Sequence, residues 1–137
     1  MLLRTIMIDQ LNLMLGNWVY DNILNKEIQI NNMPYSLDLT NRSGIMVTKE
    51  LLERIGFEKH QILKDRFFWR YWDKEHRYKL DVDFDFCNSN RMWSLHVDNG
   101  DCNTIGCGEF TYLHELQNLV QVISGYPLVI RKEVFND

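Results

Sequence analysis

Only 2 prolines and 7 glycines occur among the 137 residues, which excludes collagen-like, linker-like and low-complexity compositions. No stretch approaches the roughly 20 apolar residues of a membrane-spanning helix, so no membrane partner is expected. Basic residues are not in excess: 15 Lys and Arg against 19 Asp and Glu give a net charge of -4. A broadly basic surface for duplex nucleic acid is therefore not expected. The 3 cysteines, Cys87, Cys102 and Cys107, are too few and odd in number for a disulfide framework. They fit free thiols in a reducing compartment. The apolar N-terminus is interrupted by Asp9, Gln10 and Asn12 and lacks a small-residue cleavage site, so no export signal is expected and a cytoplasmic location follows.

With 45% hydrophobic and 12% aromatic residues, the chain predicts one packed domain over residues 1–137, burying about two-thirds of its unfolded surface. Residues 17–20, 26–30 and 35–39 read as short strands between Asn-rich breaks. Thr48 caps an expected helix over 49–55, Val47 and Leu52 form a hydrophobic staple, Gly56 ends the helix and Phe57 folds back on Leu52. The strongest pattern is a meander of strands 66–72, 77–86 and 91–97. Its expected register sets Tyr71 opposite Tyr78 and Trp69 opposite Leu80, then Leu80 opposite Val97 and Phe84 opposite Trp93. One face is then wholly apolar. The other carries Phe68, Arg70, Trp72, Lys79, Asp81, Asp83, Asp85, Met92, Ser94 and His96, and the N-terminal strands are expected to cover it.

A fourth strand near 104–110, an amphipathic helix over 112–124 ended by Gly125 and Pro127, and a short strand over 128–130 complete the pattern. The helix is expected to bury Leu116 and to turn His114, Gln117, Asn118 and Gln121 outward. The fold class is α+β: a small N-terminal strand cluster, a short helix, an antiparallel β-meander and a C-terminal helix packed on the sheet.

The segments LGNWVYDN, VTKELLERIGFEK and LHELQNLVQVISGYPL, in this order and spacing, resemble a family of small uncharacterised proteins of prophages and mobile elements in anaerobic gut bacteria. The likeness runs from Leu13 to Leu128 and is most specific at His114 to Leu119. Met14 and Leu15 stand where that family has Arg-Ile, and Val120 where it commonly has an aromatic residue. Its members begin shortly before their Gly-Asn-Trp, which implies that residues 1–6 are a dispensable extension. The resemblance implies an accessory role in a mobile element and brings no catalytic residue with it.

The alternating Asp81, Asp83 and Asp85 leave one strand face about 7 Å apart, and His96 is expected beside Asp81. Such a set can bind a hard cation and support metal-dependent hydrolysis. Alternating Asp is also ordinary patterning for a solvated strand, with Arg66 expected opposite Asp83. His114-Glu115 resembles the start of a zinc-protease motif, but the second ligand position holds Asn118. Cys102, Cys107 and His114, with Cys87, lack tight metal-site spacing, and buried inert thiols are expected instead. No phosphate loop forms around Gly106 and Gly108, Ser94 lacks the setting of a nucleophile, and no cofactor is expected. Phe68, Arg70 and Trp72, with His114, Gln117 and Asn118, remain as interaction candidates. The reading is a non-enzymatic accessory or protein-interaction protein with a protein partner. The alternatives are a metal-dependent hydrolase using Asp81, Asp83 and His96, and a weak binder of single-stranded nucleic acid.

Overall fold

The computed structural model describes residues 13–31, 42–84, 92–100 and 103–136. Strands β1 (Trp18–Asp21), β2 (Lys26–Gln29) and β3 (Arg42–Ser43) form a small antiparallel sheet in the order β2-β1-β3. The β1–β2 turn is closed by Asp21, whose Oδ1 accepts from the Ile23 and Leu24 N–H groups at 2.9 and 3.0 Å. The strand expected over 35–39 lies outside the described residues.

Helix α1 (Lys49–Ile55) forms as its caps predict. Thr48 Oγ1 accepts from Leu51 N at 3.1 Å, and Gly56 at φ 125° lets Gly56 N and Phe57 N return to Leu52 O at 3.2 and 2.9 Å. Val47, Leu52 and Phe57 are all buried. Two turns of helix are too short to stand alone, so this burial supplies the stability.

The main sheet runs β4-β5-β6-β7-β8 in chain order: Glu58–Leu63, Arg66–Asp73, Tyr78–Phe84, Trp93–Asn99 and Thr104–Phe110. The β6–β7 register is the expected one, with Leu80 opposite Val97, Val82 opposite Leu95 and Phe84 opposite Trp93. The β5–β6 register differs by two residues: Trp69 pairs with Val82 and Tyr71 with Leu80. The turn chemistry explains the slip. Asp73 ends β5 and its carboxylate accepts from His76 N at 3.0 Å, while Arg77 sits at φ 62° and so belongs to the turn rather than the strand. A slip of two keeps every side chain on its expected face, but Arg66 no longer opposes Asp83. Strand β4 has no hydrophobic alternation to announce it. It is an exposed edge strand, paired with β5 alone and bulged between Gln61 and Leu63.

Helix α2 (Leu113–Ser124) covers the apolar face. Leu113 and Leu116 are fully enclosed with Val82, Leu95, Val97 and Phe110, each such side chain contributing about 1.5 to 3 kcal/mol. The helix comes down closely on β8 because Gly106 and Gly108 carry no Cβ: one at Gly106 would lie 2.5 Å from Ile123 Cγ2, and one at Gly108 2.6 Å from Leu119 Cδ2. Residues 128–130 form no strand. Leu128 and Ile130 are buried beside the core while Val129 is exposed, and the chain continues into a 3-10 turn, Lys132–Phe135.

The small sheet docks on the helix side of the meander. Trp18 belongs to the main core and lies 4.8 Å from Phe135, ring centre to ring centre. Among the described residues, β1 to β3 therefore do not cover the polar face of the main sheet, contrary to the expectation from sequence. Its opposite, apolar face is the one they help to enclose.

Candidate functional site

The open face carries most of the side chains that the sequence singles out. Strand pairing aligns Glu58, Arg70, Asp81, His96 and Cys107 in one row across all five strands. Arg70 grips Asp81 with both prongs, Nε to Oδ1 at 2.7 Å and an Nη to Oδ2 at 2.9 Å. This geometry answers the expected Asp81–His96 pair. His96 does lie opposite Asp81, but both carboxylate oxygens already accept from a permanent cation. The carboxylate is thus a poor partner for an acid/base histidine.

Phe68 joins the same network. The His60 ring stacks on it at 5.1 Å and 16°, and the Arg70 guanidinium lies 5.1 Å from its centre. Trp72, 39% exposed, has the Lys79 ammonium 5.6 Å from its ring. Both aromatic surfaces that an unpaired base would stack on are already engaged by cationic or imidazole groups. Met92 and Ser94 are half-buried, Ser94 opposite Asp83.

A groove of about 340 Å³ crosses this face, lined by Ile62, Phe68, Asp83, His96, Asp98 and Thr104 among others. Asp98 Oδ1 accepts from Thr104 Oγ1 at 2.9 Å. Asp83 Oδ1 is buried and has no hydrogen-bond partner among the described residues. Ile62, 52% exposed, stands at the β4 end. A larger cavity of about 460 Å³ separates the small sheet from α1, lined by Tyr20, Met46, Leu51 and Phe135 among others. It is a seam between layers and gathers none of the residues singled out from the sequence.

Among the described residues, no three His, Cys, Asp or Glu side chains converge closely enough to hold a metal ion. Asp85, Cys87 and Cys102 lie outside the described residues. Cys107 is a free, exposed thiol on the β8 edge, not the buried thiol that the sequence suggested. No helix among the described residues is long and apolar enough to cross a membrane.

Of the interaction candidates on α2, His114 and Gln117 are buried and Asn118 is half-buried. His114 is 4% exposed and its Nδ1 has no partner among the described residues. Burial pushes its imidazole below the ordinary value, and the nearby Glu115 charge only partly opposes this. Glu115 Oε1 accepts from Thr111 N and Tyr112 N at 3.1 and 2.9 Å, a helix-capping role rather than a metalloprotease one. Gln117 is buried, with Oε1 accepting from Trp18 N at 2.8 Å and Nε2 donating to Gly16 O at 3.0 Å. Asn118 Oδ1 accepts from Asn17 Nδ2 at 2.8 Å. Polar side chains at helical spacing here bind the small sheet to the helix.

Sequence reasoning missed His60, Ile62, Asp98, Thr104 and Cys107 as members of the open face. The first two lie on a strand with no periodic signal. Asp98 follows from the β6–β7 register one residue beyond the expected end of that strand, and Thr104 and Cys107 from the β7–β8 register, which the turn over 98–101 announces only in part. No family model matches the chain, and comparison with curated proteins and with solved structures finds no match either.

Proposed function

We propose that the chain is a non-enzymatic protein-interaction protein and that the open face of the five-stranded sheet is its recognition surface. The observation that supports this reading is the asymmetry of the sheet. Two helices and the small sheet lie on one face, while the other presents Ile62 and Trp72 beside a polar groove. Exposed aromatic and aliphatic side chains rimmed by polar groups suit a protein contact. The hydrolase reading has less support, because Arg70 occupies the carboxylate that His96 would need. The nucleic-acid reading is weakened by the engagement of Phe68 and Trp72. The likeness of the LGNWVYDN and LHELQNL segments to prophage and mobile-element proteins supports an accessory role in such an element.

The test is affinity capture from a host lysate with three folded proteins: wild type, Ile62→Asp/Trp72→Ala, and Val122→Glu. Val122 is 74% exposed on α2, away from the open face. A partner retained by wild type and Val122→Glu but lost by the double variant supports the reading. Equal capture by all three would overturn it.

A further inference from the structure

We infer that the partner of the open face is a basic protein segment, one of whose Arg or Lys side chains enters the groove beside Asp83 and Asp98; this rests on the docking role proposed above. Along the described strands this face carries the carboxylates of Glu58, Asp81, Asp83, Asp98 and Glu109, against the permanent cations of Arg66, Arg70 and Lys79. Arg70 is engaged with Asp81 and Lys79 lies over Trp72, while Arg66 stands exposed at the start of β5 and lines a separate cavity on the far side of Asp83. The surplus is negative, as it is for the chain as a whole, with a net charge of -4.

Asp83 makes the demand local. Its Oδ1, buried and without a donor among the described residues, carries a desolvation cost that an incoming N–H group removes. A guanidinium or ammonium supplies that donor together with the opposite charge. Ile62 and Phe68 line the same groove and offer an apolar wall to the methylene stem of such a side chain. A second copy of the chain fits poorly, because two such faces would bring like charges together. An oligonucleotide would set phosphates against carboxylates.

The test uses the full chain and three probes: an acetylated peptide of alternating Arg and Leu, its Glu-for-Arg counterpart, and oligo(dT). Binding is followed by amide chemical shifts and by titration at about 20 mM and about 300 mM salt. The Arg peptide is expected to bind at low salt and to shift amides of β5 to β7 rather than α2. Asp83→Asn/Asp98→Asn, which preserves side-chain shape, should weaken it about tenfold, an effect of the size expected for a charge partner removed from a contact. Equal binding by that variant, shifts confined to other surfaces, no binding by wild type, or tighter binding of oligo(dT) would each overturn the inference. Concentration-dependent dimerisation abolished by the double Asn variant would overturn it in favour of a second copy. Lysate capture separates this failure from that of the docking role. A partner lost by Ile62→Asp/Trp72→Ala but retained by the double Asn variant leaves the face as a recognition surface and rejects only the basic partner.

Discussion

Asn17 Nδ2 donates to Asn118 Oδ1 at 2.8 Å, joining the residue before the first strand to the middle of the last helix. Asn17 Oδ1 meanwhile accepts from Met14 N at 2.7 Å, so one side chain shapes the approach to β1 and holds it on α2. The Gly-Asn-Trp and Gln-Asn segments of the chain thus meet in space. Together they form a polar lock between the small sheet and the helix.

Gln117→Ala should be costly although it removes a polar residue. It leaves the buried Trp18 N–H without its partner, at about 1 to 3 kcal/mol, while the Gly16 carbonyl loses one of two donors and keeps Gln29 Nε2 at 3.1 Å. Gln121→Ala, one turn later and exposed, should change stability by under about 0.5 kcal/mol. Urea denaturation of the two variants checks the contrast, and similar losses would mean that the lock contributes little.

Leu116 is fully buried beneath α2. Leu116→Ala should cost about 2 to 5 kcal/mol, the range for a large side chain deleted from a core that cannot collapse around the space. A midpoint shift corresponding to under about 1 kcal/mol would show that the helix can settle onto the sheet.

Gly106→Ala should destabilise more than Gly108→Ala. Both new methyl groups collide with α2, but at Gly106 the nearest atom is Cγ2 of the β-branched Ile123, which is stiff, and at Gly108 it is a terminal methyl of Leu119. Overpacking of this kind costs about 1 to 3 kcal/mol. Ile123→Ala in the Gly106→Ala background should recover part of the loss, and additive losses in the double variant would contradict the steric explanation.

Acidification should weaken the fold in two windows. Burial holds the His114 imidazole below its ordinary 6.5, so between that value and the folded one the unfolded chain binds a proton that the folded chain does not. Stability should therefore fall as pH drops from about 6.5 and level off once the folded imidazole protonates. The second window is lower. Burial acts to raise Asp73, but hydrogen bonds from the His76 side chain and backbone outweigh it and hold the carboxyl below 3.8. For Asp21, the Leu24 N–H bond lowers the carboxyl most, with burial opposing. Both contributions are present above 3.8 and disappear as pH falls through the folded values. Denaturation at about pH 7.5 and about pH 5.5 should show a smaller pH-dependent loss for His114→Gln than for wild type. An unchanged difference would rule out His114 as its source.

Local rules made much of this fold legible. Thr48, Gly56 and the alternating residues of β6 and β7 each specify their conformation within a few positions, and α1 and the second hairpin follow them. The first hairpin shows the limit: alternation fixes the faces, but register depends on the Asp73–His76 turn, which hydrophobic patterning does not report. Strand β4 was illegible because an edge strand paired on one side needs little apolar alternation. The candidate site was legible as a face but not as chemistry. Asp81 and His96 are opposite as expected, yet the slip of two residues on β5 brings in Arg70 and changes what Asp81 can do. Gln117 and Asn118 read as surface because helical periodicity gives no sign that a second sheet docks on that side.

The chain-order arrangement of the main sheet has a consequence for synthesis. Each strand from β4 to β8 pairs with its predecessor, so the sheet can zip together hairpin by hairpin as it leaves the ribosome. The small sheet precedes the meander, yet the residues that hold it in place, Gln117 and Asn118, follow all five strands of the main sheet. The small sheet must wait for α2, so a chain released before residue 113 would carry a sheet with its apolar face still uncovered by that helix.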